Sequence, residues 1–308
     1  MLWVGCSGSA SDEPVSLAFT SPAPGAGFVR DQLGATGALV AQVPVTVDVG
    51  GAPARVGLAA GEVASADLAA DGIGVADVAT TGAATIVATA YGDDDAVLAT
   101  ASVDITVADA SPADCHAHLA LYQIEFTDGP VRDGVADPVT ATVPINGVSY
   151  RYVENADPRQ TLFGDCALIL SLAKAAPLLR ARDIVEVADI GVYNYRCIGG
   201  GTPPDCPNGI SQHAYAKAID LAGFTDSTGT YASVNDDWII DPDSEDTCAA
   251  ATEPGKDTFL HELICALKAA GTWNIVLTPN YNADHRNHFH VDLTPDADFL
   301  ERRTQLPD

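Results

Sequence analysis

Between residues 15 and 109 apolar and polar side chains alternate along the chain. In the run "ASVDITVA", Val103, Ile105 and Val107 share one face of an extended backbone, and Ser102, Asp104 and Thr106 share the other. That is the period of a strand buried on one side. Similar runs recur as "SLAFTSP", "LVAQVPVTVDV", "ARVGLAA" and "TIVATAYG", separated by Gly, Pro and Asp breaks. The segment "YGDDDA" between two such runs reads as a hairpin turn, and its Asp93, Asp94 and Asp95 as solvated turn residues in preference to a calcium site. Short strands at this spacing predict an all-β sandwich. Beyond residue 114 helical patterns enter. "DCALILSLAKAAPLLRAR" (165–182) is rich in Ala and Leu, and "KDTFLHELICALKAAG" (256–271) sets Phe259, Leu260, Leu263, Ile264 and Leu267 on one stripe that stops at Gly271. The strand-like runs "IVEVADIGVYNYR", "AIDLAGF", "WNIVLTP" and "NHFHVDLT" lie around them, and the mixture predicts an α+β domain.

The chain therefore divides into a tether (1–14), an all-β domain (15–109) and an α+β domain (110–308), with "ADASPADC" (108–115) as the junction. The strand pattern of 15–109 resembles the immunoglobulin-like (Ig-like) modules of bacterial surface proteins, which implies a spacer or adhesion role. At the start, Leu2-Trp3-Val4-Gly5-Cys6-Ser7 resembles the end of a bacterial lipoprotein signal. The resemblance implies a lipid anchor on Cys6; the competing reading is an ordinary frayed terminus.

Charge narrows the partners. The 308 residues carry 42 acidic against 15 basic side chains, a net −27, which excludes polyanions such as nucleic acid and anionic lipid. No apolar run is long enough to cross a membrane as a helix. Nothing calls for an obligate oligomer, and a monomer is expected. With Cys6 set aside, six cysteines remain, all in the α+β part, and no CxxC pair suggests a zinc ribbon. Three disulfides in an oxidising, extracytoplasmic compartment (periplasmic, outer-membrane or secreted) are expected; free buried thiols are the alternative. The pairing taken is Cys197–Cys206, which closes a short loop, with Cys248–Cys265 and Cys115–Cys166.

All seven histidines also lie beyond residue 114. In "NHFHVDL" an extended chain puts His288, His290 and Asp292 on one face and Phe289, Val291 and Leu293 on the other, with His285 just upstream. In "SQHAYAKAIDLAGF" His213 precedes Asp220 by seven positions, and Asp220 projects away from Ile219. Two imidazoles and a carboxylate leave one position of a tetrahedral zinc ion open, as in catalytic sites; iron and manganese share these ligand types.

These two segments, "SQHAYAKAIDLAGF" and "LTPNYNADHRNHFHVDL", resemble the extensin-like C-terminal domain family of bacteria. That family looks like a branch of the LAS-type zinc peptidases, named for lysostaphin, D-Ala-D-Ala carboxypeptidases and hedgehog. The resemblance covers roughly residues 115–296. It implies a LAS-type fold, Zn2+ held by His213, Asp220 and His290, and hydrolysis of amide bonds in peptidoglycan peptides by zinc-activated water. The carboxypeptidase branch carries a Glu three residues before the last ligand, where this chain has Asn287. The spacing His285-x-x-His288-x-His290 is instead similar to the penicillin-insensitive murein endopeptidases, which implies His288 as base or acid with His285 assisting. Asp284 and Asp292 are further carboxylate candidates. "VYNYRC" matches a LAS-type strand end in Tyr195 and Arg196, so Arg196 would stabilise an oxyanion; a structural ion pair is the other reading. His116, His118, His261 and Ser211 carry no assigned chemistry. Two other readings stand beside the peptidase: a wall-binding module that keeps the fold without turnover, and a metal-free polar cluster.

Overall fold

The computed structural model describes residues 14–34, 37–61, 63–65, 67–110, 114–240, 247–249 and 252–300. Cys6 and its lipoprotein-like surroundings lie outside the described residues. The chain divides into two compact units, 1–34 with 39–111, and 35–38 with 112–308.

The first unit is all strand: β1 (Ser16–Ser21), β2 (Gly27–Arg30), β3 (Gln32–Leu33), β4 (Leu39–Gly50), β5 (Arg55–Ala60), β6 (Val63–Ala64), β7 (Ile73–Val78), β8 (Gly82–Tyr91) and β9 (Val97–Asp109). They form two sheets, β1-β4-β3 with β7 also paired to β4, and β2-β9-β8-β5-β6. Period-two burial explains the core between them. Ala41, Val43, Val45 and Val47 of β4 and Ala76 and Val78 of β7 meet Val56, Leu58, Ile86, Ala88, Val103 and Ile105 of the other sheet. The alternation read in "ASVDITVA" is this pattern, with Val103, Ile105 and Val107 buried and the residues between them exposed. The β2 and β7 strands escaped the sequence reading because "GFVR" is short and Gly74 interrupts the apolar run of "IGVADV".

The second unit runs α1 (Cys115–Leu121), β10 (Phe126–Asp128), β11 (Pro138–Thr142), β12 (Ser149–Tyr152), β13 (Thr161–Asp165), α2 (Cys166–Ala181), β14 (Ile184–Gly191), β15 (Ala218–Asp226), β16 (Tyr231–Ser233), α3 (Val234–Asp237), α4 (Lys256–Ala269), β17 (Ile275–Leu277), β18 (Phe289–Asp292) and β19 (Phe299–Leu300). Its main sheet has the order β12-β14-β15-β18-β17-β19, with β16 also paired to β15; β10-β11-β13 form a second sheet. The junction expected to reach Cys115 stops one residue earlier. The Asp114 carboxylate accepts the Ala117 N–H at 2.7 Å and caps α1. Asp165 caps α2 in the same way, and α2 is buried almost all round, a core helix and not an amphipathic surface one. In α4 the stripe is buried at Leu260, Leu263, Ile264 and Leu267, and Gly271 takes the left-handed φ of 67° just beyond the last turn. Phe259 is only half-buried, and Asp257 and His261 fill the face instead. The His261 ring stacks on Trp238 at 3.7 Å, a packing role.

Disulfides join Cys115–Cys166, Cys197–Cys206 and Cys248–Cys265, the pairing expected. They tie α1 to α2, close the loop after β14 and anchor α4. Three such bonds in one domain belong to an oxidising, extracytoplasmic compartment. Among the described residues no helix is long and apolar enough to cross a membrane.

On β14 the fully buried Asp189 carboxylate pairs with the Arg159 guanidinium. Burial raises the Asp189 carboxyl to about 6 even though Arg159 opposes the shift. A raised folded-state pKa means stability that is fully present below the ordinary carboxylate range and is lost as pH rises through about 6. Arg159→Ala should cost about 3–5 kcal/mol at neutral pH, where a charge is left buried and unpaired, and less near pH 5, where the carboxyl is protonated. Denaturant unfolding at the two pH values measures this; an equal cost at both would contradict it.

Candidate metal centre

Asp220 on β15 and His290 on β18 are directly opposite in the antiparallel ladder, so their side chains emerge side by side on one face. His213 comes from a single 3₁₀ turn, Gln212–Tyr215, between β14 and β15. Two features set that turn. The Ser211 hydroxyl accepts the His213 N–H at 3.3 Å, and Ala216 closes it in the left-handed conformation at φ 52°. Ser211 thus orients the loop and lies outside the chemistry.

His213 Nε2 is 3.1 Å from Asp220 Oδ1 and 3.2 Å from His290 Nδ1, and His290 Nδ1 is 2.9 Å from the same Asp220 oxygen. The three atoms make a nearly equilateral triangle. Nitrogen and oxygen ligands held about 2.0–2.2 Å from a tetrahedral zinc stand roughly 3.3–3.5 Å apart, so the triangle needs only slight opening.

The outer partners fix which electron pairs face inward. His213 Nδ1–H donates to the Val192 carbonyl at 2.8 Å, which leaves Nε2 bare. His290 Nε2–H donates to Asp292 Oδ2 at 3.0 Å, which turns Nδ1 toward the triangle; without a metal that nitrogen keeps a proton bonded to Asp220, and an ion would displace it. Two imidazole nitrogens and a carboxylate oxygen therefore converge on one point, and each histidine is held from behind as metal-bound histidines are. Burial works against charge on His290, but the bonds to Asp220 and Asp292 outweigh it and raise its pKa to about 9. Asp220 is held well below the usual carboxylate range: burial opposes this, and His213 and His290 overcome it. Two carboxylates, Asp220 and the buried Asp292, draw in positive charge that a divalent cation can supply.

The sequence ranked Asp292 as a lesser catalytic carboxylate; its place is behind His290, a role legible in the His-x-Asp alternation. Asp292→Ala should weaken metal affinity about 10–100-fold without abolishing binding, read by competition with a chromogenic chelator. Unchanged affinity would remove the carboxylate from this role.

His288 is not on the strand, since β18 begins at Phe289, yet its Nε2 still reaches to 3.4 Å from Asp220 Oδ1. Its Nδ1–H donates to Asn287 Oδ1 at 2.8 Å, so Nε2 carries a free lone pair. His285 repeats the arrangement, with Nδ1 bonded to Asn282 Oδ1 at 2.7 Å and its ring 5.2 Å from that of His288. Burial, then the neighbouring His288 and His290, lowers the His285 pKa to about 4. Burial likewise lowers His288. Asparagine holds both rings where a carboxylate would have charged them. Neither asparagine was picked out as a holder from the sequence, because only the folded turn reveals the bonds.

Arg196 does not end a strand as expected. β14 stops at Gly191 and residues 192–196 run as a loop, because Cys197 is drawn back by its disulfide and its bridge to Ile210. Among the described residues no carboxylate lies within ion-pair distance of the guanidinium, and its charge contributes to the lowered pKa of His285 and His288. Asp284 lies in the 3₁₀ turn that carries His285. His116 pairs with Asp137 at 2.9 Å, away from the triangle. Cys115, Asp137 and Cys166 also cluster, but their sulfurs are spent in a disulfide.

Residues 166–300 match the family model of the extensin-like protein C-terminus. The matched segment takes in all three corners of the triangle together with His285, His288 and Arg196. A comparison with curated proteins finds no match. Among solved structures, the chain is similar to Clostridium thermocellum CbhA fibronectin(III)-like modules, at 21% identity over 31% of this chain and 100% of that one, with a TM-score of 0.26. It is also similar to the apo structure of Bacteroides uniformis beta-glucuronidase 3, at 13% identity over 71% of this chain and 24% of that one, with a TM-score of 0.23.

Proposed function

We propose that the second unit is a LAS-type zinc hydrolase that cleaves amide bonds in cell-wall (peptidoglycan) peptides, carried behind an Ig-like spacer. The observation that supports this reading is the convergence of two imidazole nitrogens and a carboxylate oxygen, each histidine held by an outer partner, beside a third imidazole whose Nε2 carries a free lone pair. His213, Asp220 and His290 would hold the metal. When bound, zinc supplies a Lewis acid that acidifies a water molecule and polarises the substrate carbonyl.

The chain's own groups do the rest. His288 Nε2 accepts the proton of the attacking water and returns it to the leaving amine. The Asn287 amide keeps that imidazole neutral and correctly turned, which is how the site works without the glutamate of the carboxypeptidase branch. His285 buttresses His288 and excludes water. The Arg196 guanidinium, which has no carboxylate partner among the described residues, stabilises negative charge on the carbonyl oxygen.

The test is incubation of purified protein, analysed for metal without supplementation, with muropeptides. Product peptides and about one zinc per chain support the hydrolase. Tight binding without turnover would favour a wall-binding module, and the absence of metal would favour the polar cluster.

A further inference from the structure

The three corners of the triangle are not held alike. Asp220 and His290 stand on neighbouring strands, β15 and β18, in the middle of the main sheet. His213 stands on a single 3₁₀ turn outside that ladder. Its support is a hairpin with arms 192–198 and 209–213. Ile198 N–H donates to the Gly209 carbonyl at 3.0 Å, Ser211 N–H to the Arg196 carbonyl at 3.1 Å, and Asn194 N–H to the His213 carbonyl at 3.1 Å. The arms are thus tied at every second residue, and the last tie is on the ligand itself, where His213 Nδ1–H meets the Val192 carbonyl.

The tip of this hairpin is poorly suited to keeping the arms together. It reads "IGGGTPPD" (198–205), and Gly199, Gly200 and Gly201 take left-handed φ values between 77° and 101°. A glycine run has the most backbone freedom to lose, so closing it without a covalent bond is unfavourable. The Cys197–Cys206 disulfide closes it. Cys197 is buried and bridged to Ile210, at the end of the ladder, while Cys206 is half-buried in a largely exposed loop that a redox partner can reach.

We infer that the Cys197–Cys206 disulfide is the positioning device of the metal centre: it presets His213, and the chain with both thiols reduced holds a divalent cation more weakly. The inference rests on the metal reading of the triangle. Closure passes two electrons and two protons from the two thiols to a disulfide oxidant, which leaves as a dithiol. A centre completed in this way reaches full affinity only in an oxidising compartment. Loss of an outer support weakens metal binding about 10–100-fold, and the same scale is expected here.

The experiment compares the full chain with the double variant Cys197→Ser, Cys206→Ser, and with Cys248→Ser, Cys265→Ser, which opens another disulfide of the same unit. Competition with a chromogenic chelator reads zinc affinity. The first variant should lose about 10–100-fold and the second should lose nothing. Coupling is reciprocal, so the unaltered chain supplies a measurement that needs no variant to fold. Zinc should make Cys197–Cys206 harder to reduce in a glutathione buffer by the same factor, read by alkylation and peptide mass spectrometry, and leave Cys248–Cys265 as it was. Unchanged affinity in Cys197→Ser, Cys206→Ser, equal losses in both variants, or a reduction midpoint indifferent to zinc overturns the inference and leaves the metal centre standing. A full chain that takes up no zinc would overturn the metal reading and the inference together.

Discussion

Replacing His213 with alanine is expected to remove bound metal and hydrolysis together. Its Nε2 is one corner of a triangle with edges of 2.9–3.2 Å, and the Val192 carbonyl holds its other nitrogen. Two remaining protein ligands cannot hold a divalent ion as three can, so the loss should exceed the roughly 10–100-fold that removal of an outer partner brings. The substitution leaves Asp220 and His290 hydrogen-bonded to each other, so the fold should survive loss of this buried ring; circular dichroism controls for that. Metal analysis and a muropeptide assay read the two consequences. Full zinc occupancy in His213→Ala would place the ion elsewhere, and undiminished cleavage would end the mechanism.

The second large effect should fall on turnover alone. His288→Ala removes the imidazole whose Nε2 faces Asp220 from 3.4 Å while sparing all three corners of the triangle. General acid–base groups contribute about 10²–10⁴ in rate, and the variant should lose that factor in kcat while keeping its zinc. Asn287→Ala should follow it part of the way, because the freed ring can turn away from the reacting water. A rate unchanged in His288→Ala would shift the base to His285; lost zinc in the same variant would make His288 a ligand.

The limits of sequence reading are clearest at particular residues. The alternation through Val103–Val107 carried its own strand assignment, since the pleat obliges every second residue to face the core. β7 did not, because Gly72 and Gly74 break the apolar run and its pairing with β4 fixes it instead. His288 was placed on a strand by the same alternation, but the strand starts at Phe289. The turn at 283–285 feeds the ring in from outside the ladder. Arg196 was assigned to a strand end and belongs to a loop shaped by a disulfide.

The residue types and spacing of His213 and Asp220, and of His288, His290 and Asp292, suggested a metal site, because ligand chemistry resides in residue type and local period; the resemblance to the extensin-like family chose His213, Asp220 and His290 among them. The six cysteines likewise fixed the compartment. Tertiary structure alone brought residues 213, 220 and 290 to within 3.2 Å. It alone chose which ring nitrogens face the triangle, through a carbonyl at Val192 and a carboxylate at Asp292, and set asparagines behind His285 and His288. Those decisions depend on strand register and on hydrogen bonds between segments distant in the chain, and no local pattern encodes where such partners meet.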